Sequence, residues 1–278
     1  MTEHRIFGST GVQVPIVGQG TWEMDQDGVE RSVAALRRGL DLGMTHIDTA
    51  ESYGSGEVEE IVGKAITGRR PEVFLVSKVS PGRATRRGTI QACEESLRRL
   101  GTDHLDCYLL HWPGRHPLAE TFAAFELLVR DGKIKAWGIS NFNEEEVEEA
   151  VRIAGTGRIA CNQVLYHLEE RAIEHHVIPA CEEHNIAVVA YSPFSQGRFR
   201  SHRVLEDIAR SKGVSARQVA LRFLLRHPGT FTIPKSATMA HVEENAGAAD
   251  LQLTDGEISR IDQAFPTRKP RRGHLPVL

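Results

Sequence analysis

The chain has 278 residues, 40% hydrophobic and 26% charged, with a formal net charge of −3, enough for one substantial buried core and without a long basic or acidic block. That balance argues against a protein built for nucleic acid or an anionic membrane surface. No run reaches membrane-spanning length, the start MTEHRIFGSTG is too polar for a signal peptide, and four scattered cysteines (Cys93, Cys107, Cys161, Cys181) lack zinc or C-x-x-C spacing, so reduced thiols in a cytoplasmic protein are expected.

From the N-terminus, β-rich runs at 4–7 and 12–17 flank Gly8-Ser9-Thr10-Gly11, whose glycines suit a tight turn; residues 1–19 therefore read as a short β-hairpin. Apolar residues three and four apart then predict a helix over 29–42. Strand-like runs follow at 45–49, 73–78, 105–111, 134–140, 160–166, 186–192 and 230–235. Between them, helices are predicted at 57–67, 89–100, 118–130, 144–154 and 177–184, while 205–211 and 216–226 give an extra helix before the seventh strand. Residues 248–251 give a weaker eighth strand, and 266–278 form a tail with little apolar content, which predicts an open pocket. Cys107 and Cys161 fall in apolar strands as small hydrophobes, while the pairs Arg69-Arg70 and Arg86-Arg87 and the run Lys269 to Arg272 read as solvated surface.

Strand and helix alternating throughout predict an α/β protein with a single domain over 1–278, a (β/α)8 TIM barrel entered by the N-terminal β-hairpin. An open doubly wound sheet is the alternative; binding a dinucleotide, it would carry a G-x-G-x-x-G turn, which is absent. In a barrel the carboxyl ends of all strands open on one face. Those ends deliver Asp48, Lys78, His111, Ser140 with Asn141, Gln163, Tyr191 with Ser192, and Lys235 with Ser236. Each alone reads equally well as a cap, a loop residue or a core histidine; the combination does not. With Tyr53 in HIDTAESYG, the set suits carbonyl reduction: a phenol to give a proton, Lys78 kept charged by Asp48 to favour the phenolate, and neutral His111 to orient a carbonyl.

Over nearly its whole length the sequence resembles the aldo-keto reductase superfamily. The resemblance rests on GTWEM (20–24), GMTHIDTAESYGSGEVEEIVGKAI (43–66), the Ser77-Lys78 strand end, LDCYLLHWP (105–113), GISNFN (138–143), NQVLYH (162–167), YSPF (191–194) and IPKSATMAHVEENAG (233–247). It implies a catalytic tetrad of Asp48, Tyr53, Lys78 and His111, with Tyr53 as general acid and with Lys78 and Asp48 lowering its pKa. It implies NADPH as cofactor: Ser140, Asn141 and Gln163 on the carboxamide, Tyr191 stacked on the nicotinamide, and Thr21 beside it. Ser192, Pro193, Phe194, Gln196 and Gly197 would cover the pyrophosphate, Lys235 and Ser236 would approach the 2′-phosphate, and Glu244 and Asn245 would hold adenine. His241 stands where many members place an arginine against that phosphate, so NADH use stays open, because imidazole lacks a guanidinium's fixed charge and donor fork.

Trp22 and Trp112 are the substrate-wall candidates, the resemblance pointing to Trp22 and sequence adjacency to His111 pointing to Trp112. Expected substrates are small aldehydes, 2-oxoaldehydes such as methylglyoxal, or keto sugars, with no metal, nucleic-acid or membrane partner and a monomer by family default. Two readings stay open beside reduction: a cofactor-sensing regulatory subunit with little turnover, and an aldolase using Lys78 or Lys235 as a Schiff base.

Overall fold

Short apolar runs become the staves of a barrel in the computed structural model, which describes residues 2–267 and 273–277. The hairpin is β1 (His4–Ile6) and β2 (Gln13–Pro15), antiparallel with His4 opposite Pro15. Then come β3 (Gln19–Gly20), α1 (Val29–Asp41), β4 (His46–Asp48), α2 (Glu57–Ile66), β5 (Phe74–Val79), α3 (Arg86–Leu100), β6 (Leu105–Leu110), α4 (Leu118–Arg130), β7 (Ile134–Ser140) and α5 (Glu144–Ala154). The chain continues through β8 (Ile159–Leu165), α6 (Val177–Glu183), β9 (Ala187–Tyr191), α7 (Arg203–Lys212), α8 (Ala216–Leu224), β10 (Thr230–Thr232), α9 (Met239–Gly247) and α10 (Asp255–Ala264).

Among the described residues, β3 to β10 form one eight-stranded parallel sheet in sequential order. It closes on itself where Val17 bridges Thr232 and Gly20 bridges Lys235, the Gly18 N–H donating to the Thr232 carbonyl at 2.8 Å. A Cβ on Gly20 would stand 2.5 Å from the Ile233 carbonyl oxygen, so only glycine lets these strands meet. The eighth stave is thus β3, at the beginning of the barrel, and not the 248–251 run. Ala248 is apolar because it packs against Leu221 and Phe194 after α9. A two-residue strand beside glycines offers no β-rich run to read. Helices α9 and α10 were also not anticipated, although Thr254 and Glu257 form a capping box that opens α10.

Alternation along each strand sorts side chains between two cores. Leu75, Tyr108, Leu110 and Val164 face outward and pack within the helix-facing core. Phe74, Val76, Cys107, Leu109, Cys161 and Val189 face inward. Continuing the inward parity to the strand ends gives Lys78, His111, Gln163 and Tyr191. At the opposite end the hairpin plugs the barrel, Phe7 packing on Phe74 and Phe231 at centroid distances of 4.9 and 5.0 Å. Gly8 has φ +52°, and a Cβ there would lie 2.0 Å from the Ala160 carbonyl oxygen, so the plug seats only with glycine at this position.

His46 belongs to this apolar floor. Its ring meets Phe7 and Phe74 edge-on at 5.7 and 5.5 Å, and both ring nitrogens are buried without a hydrogen-bond partner. Burial, reinforced by the Lys78 charge, drives its pKa down to about 3 from 6.5. Between those values the unfolded chain takes a proton that the folded chain refuses, so this residue's share of stability falls as pH drops below 6.5 and levels off near 3. The expected loss between pH 7 and pH 5 is about 2 kcal/mol. Chemical unfolding of His46→Leu at both pH values should show a pH effect smaller than the wild type's by about that amount; an unchanged pH effect would refute the assignment.

Candidate active site

Strand parity brings Asp48 and Lys78 together beneath the barrel mouth. The Lys78 Nζ donates to Asp48 Oδ1 at 2.5 Å, to the Thr49 carbonyl at 2.9 Å and to the Tyr53 hydroxyl at 3.3 Å, which uses the full donor capacity of an ammonium. The Gln163 side-chain amide donates to the other carboxylate oxygen, Oδ2, at 2.7 Å, so Asp48 accepts on both oxygens as an ionised carboxylate. Tyr53 sits in the 3-10 turn Tyr53–Gly56, where Gly54 and Ser55 take φ of 52° and 53° and turn the ring back over Lys78. The ammonium lies 5.0 Å from that ring's centroid. Thr21 ties the first loop to the same floor by donating its hydroxyl to the Asp48 carbonyl at 2.9 Å. Glu51 fixes the next loop, accepting the Ser80 N–H at 2.8 Å and the Arg83 guanidinium at 2.8 Å.

These contacts set the protonation states. Burial lowers the Lys78 pKa, but the Asp48 charge and the contacts with Asp48 and Tyr53 outweigh it and hold the amine above its ordinary value, charged. Burial raises the Tyr53 phenol above its ordinary value; Lys78 opposes this and Asp48 adds to it. The sequence reading that Asp48 and Lys78 together lower the phenol is corrected here: only the lysine pulls it down. Tyr53 therefore stays protonated at neutral pH, over a cation placed to accept the charge left when the proton departs. Burial, helped by Lys78, drops His111 well below the ordinary imidazole value, so it is neutral. Its Nδ1 has no partner, and its ring stands edge-on to Tyr53 at 5.8 Å.

Above this floor opens a cavity of about 600 Å³. Thr21, Trp22, Asp48, Tyr53, His111, Trp112, Ser140, Asn141, Gln163 and Tyr191 all line it. Ser192, Pro193, Phe194, Gln196, Gly197, Lys235 and His241 carry the lining onward. Lys78 touches Asp48 and Tyr53 without lining the cavity, and Ser236, Glu244 and Asn245 are not part of the lining. Asn141 adopts φ +64°, its amide donating to the His111 carbonyl at 3.0 Å and to Ser140 Oγ at 3.1 Å, while its oxygen accepts from the Tyr191 hydroxyl at 2.9 Å. In the loop after β9, Ser192, Ser195 and Gln196 take φ of 50°, 51° and 54°, a left-handed series that curls the backbone over the cavity. Asn245 is buried with its Oδ1 unpartnered, an acceptor suited to an amine donor such as an aminopurine's. Ser236 Oγ instead turns inward, donating to the Thr238 carbonyl at 3.1 Å.

The mouth is more covered than the tail's composition implied. Val277 lines the cavity and the Pro276 carbonyl lies 3.4 Å from the Tyr191 hydroxyl, so 273–277 return across the barrel top; Lys269 to Arg272 lie outside the described residues. Lys235 ion-pairs with Asp27 at 2.5 Å, across the seam where the barrel closes. Arg217, Glu23, Ser52 and Val277 line the cavity and were not anticipated. The only sequence signal for Arg217 is a cation in the first turn of α8, where an acidic residue is favoured. Trp22, 38% exposed at the mouth, is an aromatic surface held in water rather than core, as a ligand wall requires.

Comparison with known proteins gives consistent matches. The family described as Aldo/keto reductase family matches residues 16–265. Methylglyoxal reductase YeaE of Escherichia coli (strain K12) is 46% identical over 276 residues, covering 97% of each chain. Glyoxal reductase of Bacillus subtilis (strain 168) is 35% identical over 252 residues, covering 91% of this chain and 89% of that one. A crystal structure of an aldo/keto reductase from Klebsiella pneumoniae in complex with NADP and acetate superimposes with a TM-score of 0.93 at 43% identity, covering 100% of both chains.

Proposed function

Because the chain belongs to the aldo/keto reductase family, we propose that it is an NADPH-dependent reductase of small aldehydes, 2-oxoaldehydes of the methylglyoxal type foremost, with Tyr53 as general acid. The observation that carries this reading is the Lys78 ammonium, bonded at once to Asp48 and to the hydroxyl of Tyr53 beneath the cavity floor. The residues present fit the cofactor. Asn245 offers an orphan acceptor for the adenine amine, the left-handed loop at 192–197 offers backbone over a pyrophosphate, and Lys235 and Arg217 supply cations. Ser140, Asn141 and Gln163 would hold the carboxamide and Tyr191 the nicotinamide face. NADPH, when bound, supplies the hydride.

Everything else falls to the chain. His111, neutral, presents a ring nitrogen to the substrate carbonyl oxygen and keeps it aimed at Tyr53. As negative charge develops on that oxygen, the phenol transfers its proton there, and Lys78 stabilises the phenolate left behind until solvent reprotonates it. Asp48 keeps Lys78 charged, and Gln163 keeps Asp48 in place. Trp22 and Trp112 wall the substrate space and exclude water. The names of the two reductase relatives favour 2-oxoaldehydes over keto sugars.

An aldolase needs a neutral amine, whereas Lys78 is held charged with every proton engaged and Lys235 is paired with Asp27. A cytoplasmic location is part of the same proposal. Among the described residues all four cysteines are free and buried, and no helix is long and apolar enough to cross a membrane. The test is oxidation of NADPH with methylglyoxal, glyoxal, simple aldehydes and a keto sugar, repeated with NADH. Turnover highest on 2-oxoaldehydes with NADPH is expected; cofactor binding without turnover on any substrate would favour a sensor instead.

A further inference from the structure

The cationic side chains that line the cavity form an incomplete set. Lys235 is held by Asp27 at 2.5 Å across the closing seam. His241 offers an imidazole, which lacks the permanent charge and donor fork of a guanidinium. Arg217 remains, in an unfavourable place for a cation: the first turn of α8, at the positive end of the helix dipole, where the Ser215–Gln218 capping box already satisfies the backbone. Its guanidinium lies over Phe194, Cζ 3.7 Å from the ring centroid, with Phe199 at 5.9 Å. Its Nε is buried and makes no aligned hydrogen bond, although Glu244 Oε2 lies 3.3 Å away. Glu244 follows His241 by three positions on α9, so the two share one helix face. A stacked, partly desolvated guanidinium with a spare donor is poised for a second anion.

If the reacting end of the cofactor lies at Tyr53, its far end follows the 192–197 loop and Lys235 to the α8–α9 wall. We propose that Arg217 is the specificity residue of this chain, reading the 2′-phosphate of NADPH from its platform on Phe194 and supplying the fixed charge that His241 lacks. The inference rests on the reading that the cavity takes NADPH. It predicts that discrimination against NADH survives the histidine at 241, because the charge has moved to another helix.

The test is calorimetric binding of 2′,5′-ADP and of 5′-AMP to the full-length wild type, Arg217→Leu and Arg217→Lys. Arg217→Leu should weaken 2′,5′-ADP about ten-fold or more, as loss of a charge-assisted bond requires, while 5′-AMP changes by less than about two-fold. Arg217→Lys should recover part of the loss, and it carries the same comparison should the leucine variant fail to fold. Equal weakening of both probes would show that Arg217 only packs the loop, and no weakening of 2′,5′-ADP would overturn the proposal outright. A wild type that binds neither probe would refute the NADPH reading together with it, a result distinct from selective failure at Arg217.

Discussion

Tyr53→Phe is expected to lower kcat for methylglyoxal reduction by about 10²- to 10⁴-fold while the Kd for NADPH stays within about two-fold. The substitution removes one oxygen. That oxygen is the acceptor of one Lys78 bond, at 3.3 Å, and its proton is the one the substrate oxygen needs. The phenyl ring would keep the edge-on packing against His111, so the cavity and its cofactor wall should persist. Because burial holds the phenol protonated through neutral pH, the wild-type rate should not fall off until alkaline pH. The variant's residual rate should lose that alkaline limb. Steady-state kinetics over pH with a fluorescence titration of NADPH checks both halves; a variant with near-wild-type kcat would remove Tyr53 from the acid role.

Lys78→Met carries the second large effect, on stability as well as rate. Lys78 is fully buried and Asp48 nearly so, and removing one partner of a buried pair leaves the other charge uncompensated, at a cost of about 3–5 kcal/mol. Activity should fall by at least about 10²-fold, since the phenolate left by proton transfer loses its cation. Asp48→Asn/Lys78→Met, which removes both charges, should regain much of the stability and none of the activity. Denaturant unfolding beside kinetics for the single and double variants separates these outcomes. A double variant as unstable as Lys78→Met would mean that the charge pair is not the source of the loss.

Much of this site was legible because period-two alternation is rigid. Once 73–78 and 105–111 read as strands, Lys78 and His111 shared a parity with inward apolar residues such as Val76 and Leu109, and the strand ends had to converge on one mouth. Tyr53 was different. It lies on an irregular turn whose direction is set by left-handed Gly54 and Ser55, so periodicity could not bring it to Lys78, and its chemistry and the family resemblance had to. The closing strand escaped notice because Gln19–Gly20 carries no β-rich run and, besides pairing with β4, closes the barrel onto residues more than two hundred positions away. Arg217 escaped because a cation on an amphipathic helix reads as solvated surface. Its meaning emerges only when Phe194 and Glu244 arrive from other elements. The balance of charges around Tyr53 also needed coordinates, since Asp48 acts on the phenol oppositely to Lys78.

Transfer of label from NADPH deuterated on the reactive face of the nicotinamide C4 to methylglyoxal, read by mass spectrometry of the product, tests the central claim most directly. The account predicts one deuterium on the newly formed carbinol carbon, none from deuterated solvent at that carbon, and loss of the labelled product in Tyr53→Phe. Label retained on the cofactor, or a product carbon that takes its hydrogen from solvent, would contradict hydride transfer at this cavity.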